Sequence, residues 1–199
     1  MYDDKKDSVT ETEYMTAPAN KTREQYDEII ASCKDVFIKK ASDYGTAWRV
    51  LRTISVVDQI YIKAQRIRTI QEKKQQKVAD DIAAEFRGMI NYSVIGLIQL
   101  ELPADAPEEL EISNVSELYD HHIGITRDLM ENKNHDYGEA WRSLSQESFV
   151  DLILMKLQRI RQILQNEGKT LVSEGIDANY HDIINYSVFA LILMGEAKQ

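Results

Sequence analysis

The octapeptide SDYGTAWR at residues 42–49 occurs a second time, as HDYGEAWR, at residues 135–142. An unusual sequence written twice in one chain predicts two copies of a larger structural unit. A Gly behind Asp-Tyr is typical of a turn that ends a helix, because Gly adopts positive φ at little cost. We therefore expect Gly45 and Gly138 to end a helix in each copy.

The repeat extends well beyond the octapeptide. With an offset of 93 residues, QRIR at 65–68 aligns with QRIR at 158–161. One inserted residue raises the offset to 94, so that INYS at 90–93 aligns with INYS at 184–187. Blocks that recur in the same order over about eighty residues predict a tandem duplication.

Three helices are predicted in each copy, since no segment shows the sustained period-two alternation of a strand. The first helix is predicted to start near Thr22 or Asn114, where a capping box fits. The second and third helices are predicted over residues 56–73 and 78–100 in one copy, and over 149–166 and 172–194 in the other. We expect an all-α fold of two tandem three-helix repeats, packed as a pseudo-twofold helical bundle.

The segments outside the repeats are polar. Residues 1–20 are predicted to be a disordered N-terminal tail. Residues 101–113, ELPADAPEELEIS, are predicted to be an acidic linker. This division leaves repeat 1 at residues 21–100 and repeat 2 at residues 114–195.

The composition excludes several functional classes. The 199-residue chain has a net charge of −9, which disfavours general nucleic-acid binding because phosphate backbones attract basic surfaces. Cys33 is the single cysteine, which fits a reducing cytoplasm and leaves no disulfide. The apolar stretches are too short to span a membrane. We expect a cytoplasmic protein without a membrane partner, and the sequence leaves open whether it forms a homodimer.

An acidic stripe runs along the predicted third helix of the second copy. Glu174, Asp177 and Asp182 follow one another near helical spacing, and such oxygen ligands suit Mg²⁺ or Mn²⁺. The alternative is a solvated acidic face. The aligned positions of the first copy carry Ala83 and Gly88 in place of two of these carboxylates. A metal site is therefore expected in the second copy, with Glu174 and Asp182 as its catalytic residues.

Basic side chains recur at matching positions of the second helix. Lys63 and Arg66 in the first copy become Lys156 and Arg159 in the second. A Lys and an Arg three residues apart share a helix face and are able to clamp a phosphate. The alternative is an exposed face, or a salt bridge to the acidic third helix.

The octapeptide itself allows two interpretations. In the first, Asp caps the turn while Tyr and Trp fill the core. In the second, the aromatic rings stack on a base while Asp and Arg bind polar groups. We assign Gly138 and Trp141 to the fold. The side chains retained as nucleotide-binding candidates are Asp136, Tyr137, Arg142 and Asn185 in the second copy, and Asp43 and Tyr44 in the first.

Taken in order, these motifs resemble a known family. The pattern runs from Asp-Tyr-Gly-x-Ala-Trp-Arg through Lys-x-x-Arg-Ile to Asp-Ile-Ile-Asn-Tyr at residues 182–186. It is similar to the nucleotide modification associated domain 1 family, an all-α phage and bacterial domain long described as of unknown function. The resemblance covers nearly all of residues 22–100 and 115–194, and implies a nucleotide as the ligand.

The layout is also similar, more distantly, to the all-α MazG-like nucleotide pyrophosphohydrolases. That resemblance implies Mg²⁺-dependent hydrolysis of a nucleoside triphosphate, with Glu174 and Asp182 among the metal ligands. The chain departs from that group because the paired E-x-x-E and E-x-x-D helices are missing.

Three functions are consistent with the sequence. The chain is interpreted as a nucleotide-handling protein that hydrolyses a nucleoside triphosphate, modified or not, with Mg²⁺. The first alternative is a non-catalytic nucleotide-binding module of a modification pathway. The second alternative is a structural helical protein in which capping and packing account for every motif.

Overall fold

The computed structural model describes residues 11–76, 81–172 and 174–196, with side chains from residue 21 to residue 195 of these ranges. Within them the chain forms six α-helices and no strand, which confirms the all-α prediction. The helices are α1 (Glu11–Tyr44), α2 (Thr53–Lys73), α3 (Ile82–Glu101), α4 (Ile112–Tyr137), α5 (Gln146–Gln165) and α6 (Ile176–Glu196). Short 3-10 helices, Ala47–Val50 and Ala140–Ser143, follow α1 and α4.

Several helix starts differ from those predicted. Helix α1 begins at Glu11, so residues 11–20 of the segment predicted as disordered are helical, while residues 1–10 lie outside the described residues. Thr22 lies inside α1 rather than capping it, and its hydroxyl donates to Glu139. Helix α3 begins at Ile82, capped by Asp81; the predicted start at residues 78–80 lies outside the described residues.

A single hydrophobic core runs through both repeats. Each of the six helices contributes buried side chains to it, and none of the described helices has the length and apolarity to cross a membrane. Helices α3 and α6 pack against each other, with the Tyr180 ring so close to Gly96 that a Cβ there would overlap it. Helices α2 and α5 are joined by Arg161, whose guanidinium binds Asp58 at 2.8 Å.

Reciprocal hydrogen bonds connect the two repeats. The Tyr26 hydroxyl of α1 donates to Oδ1 of Asn185 in α6 at 3.1 Å. The Tyr119 hydroxyl of α4 donates to Oδ1 of Asn91 in α3 at 3.0 Å. Because the tyrosines and the asparagines each align between copies, the first helix of either repeat reaches the third helix of the other. A pseudo-twofold arrangement of the whole molecule stays a prediction.

The octapeptide forms the predicted turn in both repeats. Gly45 and Gly138 follow the last residues of α1 and α4 with φ of 62° and 58°, which confirms the predicted helix ends. The two turns then contact different segments. Thr46 binds the linker through the main-chain oxygen of Glu108, whereas Arg142 binds Thr22 and Gln25 of α1.

Candidate functional site

A cavity of about 650 Å³ lies in the first repeat, where the end of α1 and the following 3-10 helix meet α2 and α3. Its volume falls in the range of small-molecule sites. The side chains that line it and bear on its chemistry are Lys40, Tyr44, Trp48, Lys63, Glu85, Arg87, Asn91 and Tyr92. The octapeptide thus forms part of a cavity wall as well as a turn.

The cavity is basic, although the protein is acidic. Lys40, Lys63 and Arg87 line it, and Glu85 is the one acidic side chain among its described lining residues. Glu85 is only 8% exposed. It lies 3.1 Å from Nζ of Lys63 and also binds Arg66, so its charge is shared between two cations. A surplus of positive charge remains to attract an anion.

Aromatic rings lie beside these cations. Tyr44 is 72% exposed, while Trp48 and Tyr92 are half-buried in the cavity wall. Nζ of Lys63 lies 6.0 Å from the centre of the Tyr92 ring. Aromatic faces next to basic groups suit a ligand that has a flat ring and a negative charge.

Gly88 makes room for Lys63. A Cβ at position 88 would lie 2.9 Å from Cε of Lys63, closer than side chains tolerate without moving. The lysine stem therefore lies directly against the bare backbone of α3. This contact identifies position 88 as the point on α3 that faces the lysine of α2.

The same pair of helices carries a different arrangement in the second repeat. Asp182 replaces Gly88, and its carboxylate accepts hydrogen bonds from Lys133 at 2.7 Å and from Lys156 at 2.5 Å. Burial tends to raise the pKa of Asp182, but the two lysines outweigh it and hold that pKa below its ordinary value. Both lysines are thus neutralised, in part, by a carboxylate of the protein itself.

The aromatic face of the second repeat is also occupied. Phe189 stands where the first repeat has Ile95, and its ring stacks on Trp141 with centroids 4.2 Å apart and planes 5° from parallel. Arg142 lies over the same Trp ring, with Cζ 4.4 Å from its centre. Trp141 is 8% exposed, so little of its surface is left for a ligand.

Some of the predicted nucleotide-binding residues line the cavity, whereas others make hydrogen bonds within the fold. Of those in the first repeat, Tyr44 and Lys63 line the cavity, Arg66 binds the cavity's Glu85, and Asp43 is exposed at the end of α1. Asn185 is used by the fold, because its amide donates to the main-chain oxygen of Thr126.

In the second repeat the predicted residues are exposed or paired with other side chains of the protein. Asp136 and Tyr137 are exposed at the end of α4, and Arg159 is exposed on α5. Arg142 binds Glu139 at 2.7 Å as well as Thr22 in α1. Lys156 pairs with Asp182.

The acidic stripe does not form as predicted. Glu174 precedes α6, which begins at Ile176, and is exposed. Asp177 is exposed in the first turn, and Asp182 is buried against two lysines. Within the described ranges, no three His, Cys, Asp or Glu side chains form a group that could hold a metal. The Mg²⁺ or Mn²⁺ site stays a prediction, without an assembled set of ligands to support it.

Sequence reasoning did not single out Lys40, Trp48, Arg87 or Tyr92 as binding residues of the first repeat. The signal that points to them is the exchange of Gly88 for Asp182. We interpreted that exchange as the loss of a metal ligand from the first copy. In the structure, the Lys63 side chain packs into the room left by Gly88, whereas Asp182 forms an ion pair with the equivalent lysine, Lys156.

Comparison with known proteins returns one relationship. The family described as Nucleotide modification associated domain 1 matches the chain over residues 40–100 and 133–194. One matched segment lies in each repeat, and together they cover more than half of the chain, which confirms the resemblance and the duplication. No curated protein and no solved structure matches the chain, and the more distant likeness to the pyrophosphohydrolases stays a prediction.

Proposed function

The chain belongs to the nucleotide modification associated domain 1 family, and from that membership we propose that it binds a nucleotide in the cavity of its first repeat. The observation that carries the proposal is the juxtaposition of Lys40, Lys63 and Arg87 with Tyr44 and Trp48 around one cavity. The family description associates such domains with nucleotide modification, which agrees with this chemistry.

The phosphates and the base of a nucleotide each have counterparts in the cavity wall. Phosphate oxygens accept charge-assisted hydrogen bonds from Lys40, Lys63 and Arg87. The base stacks on Trp48 or Tyr44, since every base presents a π-face that an aromatic side chain is able to cover. The side-chain amide of Asn91 donates a hydrogen bond to the main-chain oxygen of Cys33 and accepts one from the Tyr119 hydroxyl. Since both of its polar groups are used within the protein, we assign Asn91 to the fold.

Binding without hydrolysis is the form of the function that the geometry supports best. Phosphoanhydride hydrolysis needs a positioned metal or general base that activates water. The carboxylates that we predicted for this task are Glu174, Asp177 and Asp182, and they do not form a common group. Glu85 in the cavity is held by Lys63 and Arg66. We therefore propose a nucleotide-binding module of a modification pathway.

Isothermal titration calorimetry tests this proposal. The wild-type chain is titrated with nucleoside mono-, di- and triphosphates, with and without Mg²⁺. Lys40→Ala should weaken binding about tenfold, because a lost charge-assisted hydrogen bond costs about 1.5 kcal/mol or more. Trp48→Leu should weaken binding by a similar factor through lost stacking.

Lys39→Ala is the matched control. Lys39 is the neighbouring lysine on the same helix, pairs with Asp35 at 2.7 Å and has a side chain that is 72% exposed. Its removal should leave affinity unchanged. If no nucleotide binds to the wild type, or if the Lys39 and Lys40 variants bind equally well, the cavity is not the site. Release of phosphate or pyrophosphate in the same mixtures would overturn the non-catalytic role.

A further inference from the structure

We propose that the second repeat contains a copy of the same binding site that is filled by its own side chains, and that these side chains mark where the ligand's groups lie in the first repeat. The nature of the ligand rests on the proposed function. The filled site itself rests on contacts within the second repeat.

The two repeats share two lysines and a tryptophan of the site, although Arg87 of the cavity aligns with His181. Lys40 and Lys63 of the cavity align with Lys133 and Lys156 of the second repeat, and Trp48 aligns with Trp141. The local geometry also corresponds. Lys63 lies against position 88 of α3, and Lys156 contacts Asp182, the aligned position of α6. The lysines of the second repeat are therefore arranged to hold an anion, and they already hold one.

Two of the substitutions between the repeats place a side chain in the site of the second repeat. Where the first repeat has Gly88 and Ile95, the second has Asp182 and Phe189. The Asp182 carboxylate lies between two lysines at 2.7 and 2.5 Å. The Phe189 ring covers the face of Trp141 in parallel at 4.2 Å. One side chain thus supplies a bound anion and the other a stacked ring.

These internal groups indicate the shape of the missing ligand. If the ligand occupies the aligned positions in the first repeat, the Asp182 carboxylate corresponds to an anionic oxygen between Lys40 and Lys63. The Phe189 ring corresponds to a flat ring stacked on Trp48. Asp182 and Phe189 are seven residues apart on one helix face, so their backbone positions are separated by a rise of about 10 Å along α6. A single phosphate sits only one ribose away from its base, whereas a di- or triphosphate reaches further. The geometry points to a nucleoside di- or triphosphate in preference to a monophosphate.

A reciprocal exchange of side chains tests the inference. The opening variant carries Asp182→Gly and Phe189→Ile, and the closing variant carries Gly88→Asp and Ile95→Phe. Each is titrated calorimetrically with the nucleoside triphosphate that binds the wild type most tightly, with its monophosphate, and with inorganic tripolyphosphate. Circular dichroism and thermal unfolding confirm that each variant is folded.

We expect one site in the wild type, two in the opening variant and at least tenfold weaker binding in the closing variant. The triphosphate should bind at least tenfold more tightly than its monophosphate. One site in the opening variant together with unchanged binding in the closing variant would overturn the filled-site inference and leave the proposed function standing. No binding to the wild type would overturn the proposed function.

The single variant Gly88→Asp covers the case in which the opening variant does not fold. A carboxylate at position 88 meets the end of a flexible lysine, and we expect it to pair with Lys63 as Asp182 pairs with Lys156. Tripolyphosphate binding should then fall at least tenfold. Unchanged tripolyphosphate binding in this folded variant would contradict the assignment of position 88.

Discussion

Asp182 shows how the surroundings of one residue decide its role. Its sequence position, on an acidic stripe, suggests a metal ligand, but Asp182 is only 7% exposed and its carboxylate is bound by Lys133 and Lys156. Burial alone would raise its pKa, and the two lysines more than compensate. The charge of Asp182 therefore stabilises the fold of the second repeat.

Replacing Asp182 by Asn should lower the free energy of unfolding by about 3 kcal/mol, because Lys156 is then buried without a counter-charge. Urea denaturation at pH 7 measures this change. Asp177→Asn, on an exposed residue of the same helix, is the control and should cost less than about 0.5 kcal/mol. Equal effects of the two substitutions would contradict the proposed role of the buried pair.

The stability contributed by Asp182 should depend on pH. A carboxyl whose pKa is lower in the folded state stabilises above its ordinary pKa, and the contribution is lost as pH falls through the folded value. The difference in unfolding free energy between wild type and Asp182→Asn should therefore be full at neutral pH and shrink below about pH 4. Denaturation series at several pH values measure it.

At the scale of elements, one octapeptide forms the same turn and makes different contacts. In the first repeat, the space beside Gly45 is occupied by the Glu109 carboxylate, which also accepts from the main-chain N–H of Thr46. In the second repeat, nothing lies within 4 Å of a Cβ built on Gly138. The turn of the first repeat is thus hydrogen-bonded to the linker, whereas the turn of the second repeat has no neighbouring group from the described residues beside its Gly.

This difference predicts unequal effects of one substitution. Gly138→Ala should cost about 1 kcal/mol, the strain of a left-handed residue that has a Cβ. Gly45→Ala should cost about 2 kcal/mol, because the added Cβ also displaces Glu109 and its hydrogen bond. Thermal and urea unfolding of the two variants provide the comparison. A larger loss for the Gly138 variant would contradict the linker contact.

At the scale of the whole molecule, the repeats depend on each other. Tyr26 of the first repeat binds Asn185 of the second, and Tyr119 of the second binds Asn91 of the first. Burial raises the pKa of both tyrosines, so each hydroxyl stays protonated and donates. Since the hydrophobic core is also continuous across both repeats, we expect one cooperative unit.

Tyr26→Phe and Tyr119→Phe should each lower the unfolding free energy by about 1–2 kcal/mol, because an Asn oxygen loses a hydrogen bond donated by a fully buried tyrosine. Unfolding should stay a single transition, with fluorescence and circular dichroism coinciding. Tyr137→Phe removes a hydroxyl from a side chain that is 73% exposed, and should change little. Two separate transitions in the wild type would contradict the cooperative unit.

Much of the fold could be predicted from the sequence, because helical periodicity and a Gly that ends a helix with positive φ are local properties. The paired octapeptides at 42–49 and 135–142 predicted the duplication and the turns. Helix starts were less predictable. Thr22 has the sequence of a cap, but its hydroxyl binds Glu139 from the other repeat, and no local pattern reports such a contact.

The candidate site was only partly predictable. The basic positions of α2 and the tyrosines of the octapeptides were identified as candidates, and Tyr44 and Lys63 do line the cavity. The repeat that holds the cavity was not identified. In an alignment, the exchange of Gly88 for Asp182 suggests the loss of a metal ligand from the first repeat. In the structure, the Lys63 side chain packs against Gly88, whereas Asp182 forms an ion pair with Lys156.

The sequence by itself determined that this protein is helical, that it is duplicated, and that the same octapeptide forms a turn in each half. These properties depend on residues that lie near one another in the chain. Only the tertiary structure decided which repeat is open, and that Asn91 and Asn185 join the repeats. The physical reason is that a lysine's partner is whatever group the packing of helices brings within about 3 Å of it. For Lys156 that group is the Asp182 carboxylate. For Lys63 it is the Glu85 carboxylate, and both of these side chains also line the cavity of the first repeat.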